Sequence, residues 1–141
     1  MTTEPKYQLS VVIPTHNRRA MLERCLKSLA EQNCDPSRFE VVVIDDGSSD
    51  GTGEMVECFG TPFELRLISR AQGGWAAAQN AGIEAAAGRV CLLIDDDIIA
   101  SPDLVAAHIA GQEEQGGQAI GIGPLTQVPP RESDWYSRAF A

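Results

Sequence analysis

The sequence predicts an α/β fold, a mostly parallel sheet with helices on both faces. Three observations carry that expectation. Short runs rich in β-branched residues alternate along the chain with stretches of helical period. Two of those runs, residues 39–44 and 90–94, finish in carboxylates, Asp45-Asp46 after the first and Asp95-Asp96-Asp97 after the second. In sheets of this kind ligands bind beyond the carboxyl ends of the strands, where strand order reverses, so both acidic groups are expected at one edge around one site.

Residues 9–13 form the first strand, closed by Pro14, which cannot donate to a ladder and suits a strand end. Thr15 to Arg19 is a polar loop. From Ala20 to Gln32, Met21, Leu22, Cys25, Leu26 and Leu29 recur on one stripe, a helix with one buried face. Asn33 to Ser37 is a turn, and residues 39–44 are the second strand. The loop from Asp45 to Thr52 is rich in Gly, Ser and Asp, with Ser49 or Asp50 as N-cap of a helix through Cys58. Gly60-Thr61-Pro62 ends that helix, and residues 64–68 are a third strand. Gly73-Gly74 opens an alanine-rich helix from Trp75 to Ala87, with Gly88 as its C-cap. Residues 90–94 are the fourth strand. Ser101-Pro102-Asp103 reads as a helix start, with Ser101 as cap, and the helix runs to about Gln115 before Gly116-Gly117. Residues 119–122 suggest a fifth strand, and nothing from Pro124 onward predicts an element.

Composition narrows the function. The 141 residues are one domain's length, with 43% hydrophobic and 22% charged residues, ordinary for a globular chain. The net charge of -9 argues against nucleic acid as a partner, because phosphate-backbone binders present a basic face. An anionic nucleotide would need a metal or helix N-termini to hold it. Cys25, Cys34, Cys58 and Cys91 form no CxxC pair and no zinc spacing; Cys25 and Cys91 read as reduced core residues. Residues 1–6 lack an apolar signal core, and no run reaches the roughly 18 apolar residues of a membrane span. The expected location is the cytoplasm, or the cytosolic face of a membrane in a longer protein.

Four motifs now stand in order between residues 9 and 104. They are Val12-Ile13-Pro14-Thr15-His16-Asn17-Arg18, Val43-Ile44-Asp45-Asp46-Gly47-Ser48-Ser49-Asp50-Gly51-Thr52, Ala78-Gln79-Asn80-Ala81-Gly82-Ile83 with Gly88, and Leu93-Ile94-Asp95-Asp96-Asp97 followed by Pro102-Asp103. Together they resemble the motifs of family 2 glycosyltransferases. The resemblance implies a Rossmann-like GT-A fold, a nucleotide-diphosphate sugar donor and a divalent metal, Mn²⁺ or Mg²⁺. It implies that Pro14, Thr15 and His16, with Asn17 beside them, line base and ribose, and that Asp46, with Asp45 as a second candidate, accepts from the base. It implies that Asp96 faces ribose or sugar hydroxyls and that Asp97, with Asp95, holds metal. Arg70 is the best diphosphate or base contact among Arg18, Arg19 and Arg70, and Asn80 is either a ligand contact or a loop anchor. The physical case is sound: a buried carboxylate that accepts from a base N–H discriminates strongly, and a metal bridging carboxylate and diphosphate stabilises the leaving group.

The chain departs from the family pattern in three places. His16 stands where Tyr often stacks on the base, and Gln79 where Arg often precedes the Asn. The family's catalytic base and acceptor segment is expected downstream of Ala141, since Glu113, Glu114, Glu132 and Asp134 lie too near the aspartate triplet. Residues 1–141 therefore read as a single nucleotide-sugar-binding domain whose sheet is incomplete at its C-terminus. The resemblance implies metal-assisted, inverting transfer of a sugar to an acceptor hydroxyl on a saccharide, lipid or protein. The open sheet edge suggests a homodimer.

Blander readings stand beside these. Asp45-Asp46 suits an Asx-turn, with Asp45 favoured for that role. Gly47 to Gly53 does not meet GxGxxG. His108 reads as a surface residue, Trp75 as packing, and Trp135-Tyr136 as core of a missing half. A non-catalytic nucleotide-sugar-binding module is the main alternative. A nucleotidyltransferase would need a Gly-rich basic loop after the first strand, and a receiver-like domain a late strand-end Lys; the chain has neither.

Overall fold

The computed structural model describes residues 4–117 and 120–123. Strands β1 (Tyr7–Thr15), β2 (Phe39–Asp46), β3 (Glu64–Arg70) and β4 (Gly88–Leu93) form one sheet in the order β3-β2-β1-β4. All three pairings are parallel, so among the described residues the sheet is wholly rather than mostly parallel. Helices α1 (Arg19–Ala30), α2 (Thr52–Glu57) and α3 (Trp75–Ala85) connect the strands, and α4 (Leu104–Glu114) follows β4.

The strand order dictates which face each helix takes. The chain steps outward from β1 to β2 to β3, and right-handed crossovers put α1 and α2 on one face. It must then return past β1 to reach β4, and the same handedness puts α3 on the other. Side chains divide accordingly, because successive strand residues point to opposite faces. Leu9, Val11, Ile13, Val41 and Val43 pack with Leu22, Leu26 and Leu29 of α1, Val56 of α2, and Val105 and Ile109 of α4. Val12, Val42 and Ile44 pack with Ala78 of α3. β2, covered on both faces, is buried at every residue, hence its continuous apolar run. Small residues let α3 lie close: a Cβ on Gly82 would fall 2.3 Å from Val12 Cγ1.

Beneath the C-terminal end of α3 the sheet buries a charge. Glu40, 0% exposed, accepts from Ser10 Oγ at 2.7 Å, the Ala87 N–H at 2.8 Å and Arg66 Nε at 2.9 Å. Arg66 also donates to the Ala85 carbonyl, and the Gly88 N–H to Ser10 Oγ. Burial pushes the Glu40 pKa up, but these donors outweigh it and hold the carboxyl below its ordinary range. The network joins β1, β2 and β3 to the α3–β4 junction. It thereby sets where β4 starts, and how far its aspartate-bearing end projects.

Several boundaries differ from expectation. Pro14 does not close β1: the strand continues to Thr15, with Pro14 paired to Ile44 near its end. Gly88 is not a helix cap. α3 ends at Ala85, Ala86 turns extended, and Gly88 begins β4. A side chain there would collide with the β1 backbone, its Cβ 2.5 Å from Ser10 N, so the glycine serves close strand approach. Neither Ser49 nor Asp50 is the N-cap of α2; Gly51 is, in a left-handed conformation. Ser101 makes no side-chain cap: its carbonyl accepts from Leu104 N in a turn, and Asp103 occupies the cap position. Residues 120–122 form no strand, with Ile120 95% and Ile122 92% exposed; Ala119 lies outside the described residues, as do Glu132, Asp134, Trp135 and Tyr136. Cys91 is exposed rather than core, because α3 does not reach across to cover that face of β4. Cys25 is buried, its thiol pushed up to about 12 by burial.

Candidate functional site

The strand order reverses between β1 and β4, and the loops that follow β1, β2 and β4 open at that point. Thr15, the last residue of β1, is the pivot. It lies beside Asp45 in the β1–β2 register, and its Oγ1 donates to Asp96 Oδ2 at 2.9 Å. One side chain thus connects the triplet to the strand that runs beside the Asp45-Asp46 pair. On the β4 side the ladder ends with Ile94 N donating to the Val12 carbonyl at 3.2 Å, which delivers Asp95 directly to the edge.

The three aspartates of the triplet differ. Asp96 points inward and is 1% exposed. Thr15 holds one carboxylate oxygen, and Arg18 Nη1 donates to the other at 3.1 Å. Burial still dominates, and its pKa is raised. Asp95 and Asp97 face solvent; partial burial, then the neighbouring Asp97 charge, raises Asp95. Arg18 Nη1 also stands 4.0 Å from Asp97 Oδ2.

In the acidic pair both members are engaged locally. Asp46 accepts from the Gly73 N–H at 3.0 Å and the Gly74 N–H at 2.9 Å, with Arg70 Nε at 3.5 Å. It therefore fastens the loop that begins α3 to the end of β2. A carboxylate has about four acceptor sites, so Asp46 retains capacity for a further donor. Asp45 accepts from the Ser48 N–H at 3.0 Å, an Asx-type turn, and borders a groove of about 360 Å³ with Gly53, Glu54, Leu67, Ser69 and Arg70. The left-handed Gly47 makes that turn possible, and a side chain there would press on the Gln72 backbone at 3.0 Å.

The other sequence-predicted residues divide between loop anchors and exposed positions. His16 Nδ1 pairs with the Asp46 carbonyl at 2.8 Å, where the ring N–H donates. Asn17, at φ 50, accepts from the Ser49 N–H at 2.7 Å, and its own N–H donates to Ser48 Oγ. Pro14 is buried in the strand end. Arg70 turns back to donate to the Ala77 carbonyl at 2.6 Å, bracing α3. Asn80 is exposed on α3, and Trp75, at 48% exposure, is not the packing residue expected.

Two long-range contacts at this edge have no signal in the sequence. Asp50 accepts from the Arg19 N–H at 3.1 Å and the Thr52 N–H at 3.1 Å, so one carboxylate serves the first turns of α1 and α2 together. Its place within a Ser/Asp-rich loop predicts a contact with the start of α2, but not the second one with the start of α1. Arg18 ranks behind Arg70 as a ligand contact in the sequence, and its contact with a triplet so distant along the chain carries no local signal.

The donor set suits a divalent ion. Asp97 and Asp95 offer hard oxygen ligands at the solvent-facing edge. Among the described residues no group of three His, Cys, Asp or Glu side chains is arranged to hold a metal alone. An ion held by those two carboxylates would complete its coordination with substrate phosphates and water.

The fold and the strand-end carboxylates define an α/β domain with a ligand edge at its switch point. The chain matches the model of glycosyl transferase family 2 over residues 10–139 and belongs to that family. It is 34% identical over 125 residues to a validoxylamine A glucosyltransferase of Streptomyces hygroscopicus subsp. limoneus, an alignment spanning 87% of this chain and 28% of that protein. Among solved structures, TarS 1–349 of S. aureus in complex with UDP-GlcNAc aligns with TM-score 0.72 at 30% identity, over 77% of this chain and 32% of that one. The mannosyltransferase PcManGT of Pyrobaculum calidifontis, in complex with GDP-Man and Mn²⁺, aligns with TM-score 0.66 at 28% identity, over 74% and 32%. The fold is of the GT-A type. The chain thus spans about a third or less of the length of these relatives. No described helix is long and apolar enough to cross a membrane.

Proposed function

We propose that residues 1–141 act as a single nucleotide-sugar-binding domain of a glycosyltransferase, whose reaction displaces nucleoside diphosphate from the anomeric carbon of the sugar by an acceptor hydroxyl. The observation that carries this reading is the convergence of Thr15, Asp46 and the aspartate triplet at one strand edge. The base would lie over His16 and Asp46, and Asp97 with Asp95 would hold Mn²⁺ or Mg²⁺; Asp96, buried with both oxygens engaged, would brace the triplet rather than meet ribose or sugar hydroxyls as the sequence suggested. The ion, when bound, supplies positive charge to the departing diphosphate. A single displacement inverts the anomeric centre. The acceptor needs a general base, worth about 10²–10⁴-fold. Neither Asp46 nor Asp96 is assigned that role: Asp46 would face the nucleotide base, and Asp96 is buried beneath the edge.

The net charge of -9 supports metal dependence, since a diphosphate would otherwise enter an acidic field. Titration calorimetry of UDP and GDP, with Mn²⁺ and then with chelator, tests the reading. At least one nucleotide should bind, and only with metal, and Asp97→Ala should remove the metal-dependent part. Equal affinity with and without metal would mean that Asp95 and Asp97 are not ligands.

A further inference from the structure

We propose that Arg18 is a built-in counter-cation of the aspartate triplet, which keeps divalent metal weakly bound until the donor diphosphate arrives; this rests on the metal reading given above. Arg18 is the N-cap residue of α1, immediately after the β1 loop. Its Nη1 donates to Asp96 Oδ1 at 3.1 Å and stands 4.0 Å from Asp97 Oδ2. The guanidinium therefore bridges the inward aspartate and one of the two outward ones.

This geometry has two consequences. Arg18 and Thr15 take separate oxygens of Asp96, so that carboxylate is held from both sides and turned away from the edge. A cation entering beside Asp97 meets a positive charge already in place, 4.0 Å from Asp97 Oδ2, and like charges that close to one carboxylate oppose one another even in a water-like dielectric. Arg18 is also 47% exposed, free to swing outward, whereas Asp96 is fixed. Nucleotide diphosphate brings the negative charge that reverses the balance: it favours the metal and offers the guanidinium a phosphate partner. Metal and nucleotide then bind with positive coupling, each raising the affinity of the other by the same factor. Arg18 is a positioning residue in this account, acting through Asp96 and Asp97.

The test is Mn²⁺ binding to the chain, followed by the EPR signal of free Mn²⁺, with and without UDP. Arg18→Gln removes the competing charge and keeps a hydrogen-bond donor for Asp96; Arg18→Lys keeps the charge. Without nucleotide, R18Q should bind Mn²⁺ roughly three- to ten-fold more tightly than the unmodified chain, and R18K about equally to it. The gain in Mn²⁺ affinity on adding UDP should shrink in R18Q by a similar factor. A merely structural role predicts the opposite sign, a looser site with weaker Mn²⁺ binding. Unchanged or weakened Mn²⁺ binding in an R18Q protein with native circular dichroism would overturn the role of Arg18 and leave the metal reading standing. Failure of both proteins to bind Mn²⁺, with or without UDP, would overturn the metal reading and the role of Arg18 together.

Discussion

Asp46 offers a sharp test of how the donor edge is held together. Its two carboxylate oxygens accept from successive backbone amides, Gly73 at 3.0 Å and Gly74 at 2.9 Å, and the side chain is buried beside Arg70. Asp46→Asn is nearly isosteric but has one acceptor oxygen. Its NH₂ must face one of the two amides, so one charge-assisted bond is lost and one part-buried N–H loses its partner. Each of those effects is worth about 1–3 kcal/mol, and because they share one site a combined loss of about 2–3 kcal/mol is expected. At this chain length that corresponds to a fall in Tm of roughly 6–12 °C. Thermal unfolding followed by circular dichroism, without any nucleotide, measures it. The same variant should bind nucleotide more weakly, because the loop that opens α3 is no longer fastened. A melting temperature within about 1 °C of the unmodified protein would refute the clamp and leave Asp46 a ligand contact only.

Two further outcomes follow from the buried charges. Glu40→Ala strands Arg66 and the Ala87 N–H, and since Arg66 reaches solvent the loss should be about 2–4 kcal/mol, read from denaturant unfolding. The folded-state pKa of Glu40 is lowered, so its contribution is present above the ordinary Glu range and disappears as pH falls through the folded value; in E40A that part of the acid sensitivity should be absent from stability measured against pH. Asp96 has the opposite sign. Its pKa is raised by burial, so its ionisation costs folded-state stability as pH rises through the folded value. Asp96→Asn should therefore melt at or above the temperature of the unmodified protein at neutral pH while losing nucleotide affinity, which calorimetry and a melting curve read together.

Much of this architecture is legible in the sequence because it is local. Residues 41–44 announce a strand covered on both faces by their unbroken apolar run, and residues 20–32 announce α1 by their single apolar stripe. The acidic clusters are legible because carboxylates directly follow apolar runs, and parallel topology then puts them at the same edge. What stays hidden depends on contacts distant in sequence. Gly88 reads as a helix cap because glycine after an alanine helix usually is one; only the pairing of β4 with β1 shows that it is a strand residue pressed on Ser10. Arg18 and Asp96 lie 78 residues apart, and nothing around either announces the other. Asp50 similarly serves two helices from one loop. The apparent fifth strand fails because short apolar runs are ambiguous, and Ile120 and Ile122 find no partner strand among the described residues.

The central claim is that the loops after β1, β2 and β4 form one nucleotide-binding edge. Backbone amide NMR of the ¹⁵N-labelled chain, titrated with Mg²⁺ and UDP or GDP, tests it most directly. The account predicts that the largest shifts fall together on Thr15 to Asn17, Asp46 to Gly47, Gly73 to Gly74 and Asp95 to Asp97. Shifts confined to the groove along β4 lined by Arg89, Leu93 and His108, with the aspartate loops unmoved, would contradict it.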